Sequence, residues 1–123
     1  MREIKFRGKH IHAFVEPHNT GLWVYGYLSD KNYINSEELM GEMLVNENTI
    51  GQYTGLKDKN GKEIYEGDIL REYSNEIEDW VVSYDYGKFI GTSDNVSEDL
   101  YELSNLEVIG NIYDNPELLE KGE

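Results

Sequence analysis

Hydrophobic and polar positions alternate with period two at the start of the chain. Glu3-Ile4-Lys5-Phe6-Arg7 puts Ile4 and Phe6 on one face and the three charges on the other, which predicts a half-buried strand. After Gly8, His10–Val15 continues as a second extended segment until Pro17 and Asn19-Thr20-Gly21 punctuate the chain. Leu22-Trp23-Val24-Tyr25-Gly26-Tyr27-Leu28 is rich in aromatic and β-branched residues and is expected to pair with the first strand. A polar turn, Ser29–Asn32, separates it from the short strand Tyr33-Ile34. From Asn35 the period changes. Asn35 or Ser36 as N-cap, Glu37 and Glu38 in a first turn and Leu39, Met40 and Met43 on one side read as a short helix. Gly41 and the lack of a clean C-cap over Val45–Thr49 speak against it, so 36–44 stays open between a helix, an ordered loop and an extended segment.

The centre of the chain is Ile50–Tyr73. Gln52–Leu56 and Glu63–Tyr65 are β-favouring runs. Between them lies Asp58-Lys59-Asn60-Gly61, whose Asn-Gly pair tolerates positive φ at both central positions of a hairpin turn. Glu66-Gly67-Asp68 then breaks the run before another strand, Ile69–Tyr73. Further on, Ser74–Asp79 reads as an acidic loop, Trp80–Tyr84 as a strand, Asp85–Lys88 as a turn into Phe89-Ile90-Gly91, and Thr92–Asp99 as a mobile loop. Leu106–Ile112 closes the series, and Asn115-Pro116 opens a last helical turn over Glu117–Leu119 with Pro at its first position. Short strands with turns this close together predict a mainly β protein, β-rich α+β at most, built on a small curled sheet or barrel.

Composition narrows the class. The chain has 123 residues and no Cys, so disulfides and Cys-ligated metals are excluded and a cytoplasmic setting is the simplest expectation. No segment approaches the roughly 18 apolar residues of a membrane span, and the N-terminus lacks the basic-then-apolar order of an export signal. The net charge of −14 is unevenly placed. Residues 1–62 hold eight Lys/Arg and eight Asp/Glu, and residues 63–123 hold three and seventeen, so the whole excess lies in the second half. A half-chain at −14 repels a phosphate backbone, which makes direct nucleic-acid binding an unfavourable reading. Arg2, Lys5, Arg7 and Lys9 read as edge-strand charges that deter sheet-to-sheet association rather than as a basic binding strip.

Four groups of residues invite chemistry. His10, His12, Glu16 and His18 form a weak metal candidate, since His-x-His points both imidazoles to one strand face. No companion ligand pattern supports it, and a solvated strand accounts for the same residues. Aligning Gly61 with the required glycine of a calcium loop puts Leu56 and Gly67 at ligand positions, so that motif fails at both ends. Glu66 and Asp68 have the spacing of an acid–base pair, yet no nucleophile pattern accompanies them and an Asp in a tight turn normally accepts backbone amides. Ten Tyr, Trp23, Trp80 and three Phe supply rings for a groove, but a small β core also needs them.

The run IGQYTGLKDKNGKEIYEGDIL, with the opening REIKFRG and the late LEVIGNIYDNPELL, resembles the YopX family of small proteins encoded by bacteriophages and prophages of Gram-positive bacteria. The resemblance spans Arg2–Leu119 and implies an SH3-type barrel in the second half. It carries over no catalytic motif. The chain is expected to be a single domain over 1–123, with N-terminal strands and a possible short helix over 1–49, a barrel region over 50–119 and a frayed tail over 120–123. The expectation for function is a non-catalytic acidic module, without cofactor, that binds a basic surface on a host or phage protein. Glu76, Glu78, Asp79, Asp94, Glu98 and Asp99, placed on loops, are the partner-binding candidates, with imitation of DNA by the acidic face as a variant. Two other classes stay open: a metal- or carboxylate-dependent enzyme of phage nucleic-acid metabolism, and a structural protein that self-assembles as a homo-oligomer through a β edge.

Overall fold

The computed structural model describes residues 4–11 and 19–120. The protein is mainly β, with eleven strands among the described residues, and it divides into two compact units, Met1–Tyr53 and Thr54–Glu123. The boundary falls inside a strand.

In the first unit, β1 (Phe6–Ile11) pairs antiparallel with β2 (Asn19–Asp30), as its aromatic composition predicts. β2 pairs with β3 (Tyr33–Ser36), and β3 with β4 (Gly41–Leu44). On its other side β1 pairs with the start of β5 (Gly51–Lys57), Phe6 opposite Gln52 and Arg7 opposite Gly51. β1 is therefore an inner strand, which corrects the edge-strand reading of its charges. Arg7 and Lys9 are buried, 5% and 7% exposed, and the Arg7 guanidinium carbon lies 4.5 Å from the centre of the Trp23 ring. Lys9 Nζ sits 5.4 Å from the same ring, and Lys5 Nζ 5.4 Å from the Tyr53 ring. An aromatic face desolvates a cation at low cost because the ring quadrupole replaces part of its hydration.

The opposite face of this sheet holds the core: Val24, Ile34 and Val45, with Phe6, Met43 and Ile50 packed on them. Gly8 makes room for it, since a Cβ there would come within 3.0 Å of Val45. Ile4, expected beside Phe6, is 56% exposed and precedes the strand. Ser36–Leu44 is a hairpin and not a helix. Its capping signal is real, for Ser36 Oγ accepts the Leu39 amide at 3.0 Å, but the turn stops after one cycle when Met40 turns left-handed at φ 60° and Gly41 begins β4.

The second unit continues β5 into a hairpin with β6 (Glu63–Tyr65), where Thr54 Oγ1 donates to the Ile64 carbonyl. Five further strands form an antiparallel sheet: β7 (Asp68–Tyr73), β8 (Ile77–Asp85), β9 (Lys88–Ser93), β10 (Val96–Asp99) and β11 (Glu107–Asn111). Their order is β10-β9-β8-β7-β11: β7 to β10 form a four-strand meander and the fifth strand, β11, returns to pair with β7, with β10 and β11 at the two ends. A one-turn helix, α1 (Leu100–Leu103), precedes the return. Leu70, Trp80, Val82, Leu100, Leu103 and Val108 form the core with Ile64, and Gly91 leaves the space that the Leu103 side chain fills. Thr92–Asp99, expected as a mobile loop, is a hairpin whose connection is only Asp94-Asn95.

The central turn also differs in register from the expectation. Gly61 N–H donates to the Asp58 carbonyl at 3.0 Å, which makes Lys59 and Asn60 the central pair, and of the four residues only Gly61 has positive φ, at 85°. This is a type I turn followed by a left-handed glycine. The mirror-image turn, with positive φ at both central residues, lies instead between β8 and β9 at Tyr86 (54°) and Gly87 (77°).

Candidate functional site

Alternation along β8 puts Ile77, Asp79 and Val81 on one face, and cross-strand pairing adds Tyr73, Arg71 and Ile69 from β7 and Thr92 from β9. The C-terminal segment reaches the same face because two asparagines fold the chain back after β11. Asn111 Oδ1 accepts the amides of Tyr113 and Asp114 at 3.0 and 2.8 Å, and Asn115 Oδ1 accepts the Asn111 amide at 3.2 Å. Pro116 then starts the 3-10 turn Pro116–Leu119. Between this turn and the sheet lies an open cleft of about 440 Å³.

Its aliphatic lining is Ile77, Val81, Leu118 and Leu119, of which Ile77 is 64% and Leu119 39% exposed. Thr92 and Ser93 also line it, and its acidic lining residues are Asp79, Asp94 and Glu120. Among the described residues that line it, none is basic. The three carboxylates differ in their surroundings. Asp79 is engaged bidentately by Arg71, Nε to Oδ1 at 2.8 Å and Nη2 to Oδ2 at 2.9 Å, and hydrogen bonding to this carboxylate pushes the guanidinium pKa above its ordinary value. Asp94 sits at the exposed β9–β10 turn in a left-handed conformation, φ 54°. Glu120 follows the 3-10 turn, its amide donating to the Glu117 carbonyl at 3.2 Å.

The six acidic candidates do not share one setting. Asp79 and Asp94 meet at the cleft. Glu78, one residue along β8, faces the other way, where it lies opposite Glu72 and accepts the Ser93 hydroxyl at 2.8 Å. Glu98 and Asp99 belong to the end strand β10 rather than to a loop, and Asp99 is bridged to Lys88 at 2.6 Å. Glu76 is exposed in the Ser74–Glu76 turn. Sequence reasoning misses Ile77, Leu118, Leu119 and Glu120; the adjacent Leu118-Leu119 pair after Pro116 is the available signal.

The other candidates have structural settings. Of the histidine group, His10 lies in β1 and bridges to Val45, while His12, Glu16 and His18 lie outside the described residues. Among the described residues no group of three or more His, Cys, Asp or Glu side chains is placed to hold a metal ion. Asp68 is 1% exposed and its Oδ2 accepts the Tyr65 amide at 2.8 Å, so its carboxylate closes the Glu66-Gly67-Asp68 turn. Gly67, at φ 92°, packs so closely under the Tyr113 ring that a Cβ would lie 2.9 Å from it. Exposed tyrosines occur in both units, and in the first Tyr25 and Tyr27 flank a shallow notch of about 150 Å³ with Lys5 and Asn35. No described helix is long and apolar enough to cross a membrane.

Comparison with known proteins gives a family and a solved relative. The family model described as YopX protein matches residues 7–120. Among solved structures, the crystal structure of protein EF1440 from Enterococcus faecalis is similar, with 29% sequence identity and a TM-score of 0.54 over 98% of this chain and 100% of that one. No curated protein matches the chain.

Proposed function

The chain belongs to the YopX family, and on that premise we propose that it acts as a non-catalytic binding module whose acidic second unit engages a basic surface on a host or phage protein. The observation that carries this reading is the cleft between Pro116–Leu119 and the sheet, which joins four aliphatic side chains to three carboxylates and, among the described residues, includes no basic one. Exposed apolar surface supplies short-range affinity, while a one-signed field around it speeds encounter with a partner of opposite charge and rejects partners of like charge. The internal bonds of Asp68, Asp79 and Glu78 support a structural use of those carboxylates, and Glu76, Asp94 and Glu98, which are exposed, are the side chains we assign to the partner.

The test is capture of partners from nuclease-treated bacterial lysate by the wild-type protein and by the triple variant E76Q/D94N/E98Q. These three positions are exposed and leave the Arg71–Asp79 and Ser93–Glu78 bonds intact. The expected result is a basic protein retained by wild type and lost both from the variant and in high salt, each exposed charge being worth about 0.2–1 kcal/mol. Equal retention by wild type and variant, unchanged by salt, would count against the reading.

A further inference from the structure

We propose that Asn60-Gly61 is a self-modification site, at which the Gly61 backbone nitrogen attacks the Asn60 side-chain amide and the resulting loss of ammonia unfastens the turn that Asp58 ties to β11. Asn60 is the only asparagine of the chain followed by glycine. As the Gly61 nitrogen gives up its proton to solvent base, it forms a bond to Asn60 Cγ, and the bond from Cγ to Nδ2 breaks to release ammonia. Water then opens the five-membered imide. Cleavage of the new bond leaves an aspartate at position 60, and cleavage of the original peptide bond leaves isoaspartate, whose main chain is one carbon longer. The sum is an amide and water giving a carboxylic acid and ammonia. Glycine favours ring closure because no Cβ crowds the attacking nitrogen, and nothing lies within 4 Å of the position a Gly61 Cβ would take. Lys59, Asn60, Gly61 and Lys62 are all exposed, so water and base reach the pair.

The folded turn opposes this step. The Gly61 N–H, whose proton must be lost, donates to the Asp58 carbonyl at 3.0 Å. The amides on either side, those of Asn60 and Lys62, both donate to Asp58 Oδ1 at 2.8 and 2.9 Å, which holds the backbone around the reacting pair in place. The Asp58 charge also disfavours a second negative charge on the Gly61 nitrogen. Ring closure therefore waits for the turn to open, and its rate is that of the open chain scaled by the open fraction. The modification acts back on the same bonds. Isoaspartate moves the Gly61 and Lys62 amides out of register with Asp58, and an aspartate puts a second carboxylate close to one that is 6% exposed. Either product weakens the hold of Asp58, whose Oδ2 accepts the Val108 amide of β11 at 2.9 Å. Ammonia is lost to solvent, so each conversion is one-way and the second unit loosens with age.

The experiment incubates the full-length protein in mildly alkaline buffer, with and without urea, and follows conversion at each asparagine by peptide mapping and mass spectrometry, with electron-based fragmentation to tell isoaspartate from aspartate. In urea, Asn60 is expected to convert ahead of every other asparagine. Without urea its conversion should be slower by at least about tenfold, because only the open turn reacts. D58A should react in buffer at a rate approaching that in urea, whereas in urea it should match wild type. Wild-type protein converted at Asn60 should show a lower denaturant midpoint, and Asn60→Ala incubated in parallel should keep its own. The comparison of wild type with and without urea holds even where D58A fails to fold. Equal rates of conversion in the two conditions, an acceleration by D58A that persists in urea, conversion of another asparagine before Asn60 in urea, or an unchanged midpoint after conversion would each overturn the assignment.

Discussion

The connections at Asp58–Lys62 and Asp85–Lys88 both reverse the chain between antiparallel strands of the second unit, but a buried carboxylate holds the first and backbone geometry the second. Asp58 is 6% exposed. Its Oδ1 accepts the amides of Asn60 and Lys62 at 2.8 and 2.9 Å, and its Oδ2 accepts the Val108 amide of β11 at 2.9 Å. The Lys59 amide adds a bond to the Leu106 carbonyl at 3.1 Å, so this turn is tied to a strand about fifty residues away. The β8–β9 turn is held locally. Tyr86 projects 84% exposed with its amide donating to Asp85 Oδ1 at 2.9 Å, and Lys88, where β9 begins, forms a surface ion pair with Asp99 of the neighbouring hairpin at 2.6 Å. One turn is a tertiary fastener and the other a local reversal, and substitutions at the two should differ in size and in sign.

The largest effect is expected at Asp58. Burial alone raises its pKa, but the amide donors of Val108, Lys62 and Asn60, together with the charge of Lys62, outweigh burial and hold the carboxyl below its ordinary 3.8. Asp58→Ala leaves three amides without their acceptor and should cost about 3 kcal/mol or more, read as a lower denaturant midpoint. Because the folded pKa is depressed, the ionised form favours folding. Its contribution is full above the unfolded pKa near 3.8 and is lost as pH falls from there through the folded value. The stability gap between wild type and Asp58→Ala should therefore narrow below about pH 3.8. A gap that stayed constant through that range would mean that the amide bonds do not depend on the carboxylate charge.

Sequence alone carries most of the strands, because period-two alternation and aromatic or β-branched runs are local properties. Leu22–Leu28, Gln52–Leu56, Ile69–Tyr73 and Trp80–Tyr84 all lie in strands. What it misses depends on neighbours. Whether the charges of β1 face water is decided by β2 and β5 pairing on both of its sides, and nothing within Lys5–Lys9 specifies that. Asn-Gly taken alone predicts the mirror-image turn, yet Asp58 caps the reversal one residue earlier through bonds to a strand that sequence cannot place beside it. The cleft is half legible. Asp79 and Asp94 stand out as acidic residues, but Leu118, Leu119 and Glu120 join them only through the Asn111–Asn115 reversal.

The two turns should respond oppositely at their left-handed residues. Gly61 has open space around it, with nothing within 4 Å of the position a Cβ would take, so Gly61→Ala isolates the backbone cost of φ 85°. It should destabilise by about 1 kcal/mol. Tyr86 already carries that cost at φ 54°, and Tyr86→Asn should stabilise by a few tenths to about 1 kcal/mol, since asparagine tolerates this region better than a bulky side chain. Thermal melts of both variants beside wild type would show shifts of opposite direction. Shifts of the same sign would remove backbone geometry as the basis of the difference.

The smallest effect is the most discriminating. If Asn60-Gly61 formed the mirror-image turn, Asn60 would sit at positive φ and Asn60→Ala would cost about 1 kcal/mol, as at Gly61. In the structure only Gly61 has positive φ, and what Asn60 gives the turn is its amide, donated to Asp58 Oδ1 at 2.8 Å. Alanine keeps that amide. Asn60→Ala should therefore change stability by less than about 0.5 kcal/mol, the ordinary range for an exposed substitution. A loss near that of Gly61→Ala would show that the turn is built around Asn60-Gly61 after all, and Asp58 would then be an accessory to the reversal and not its cause.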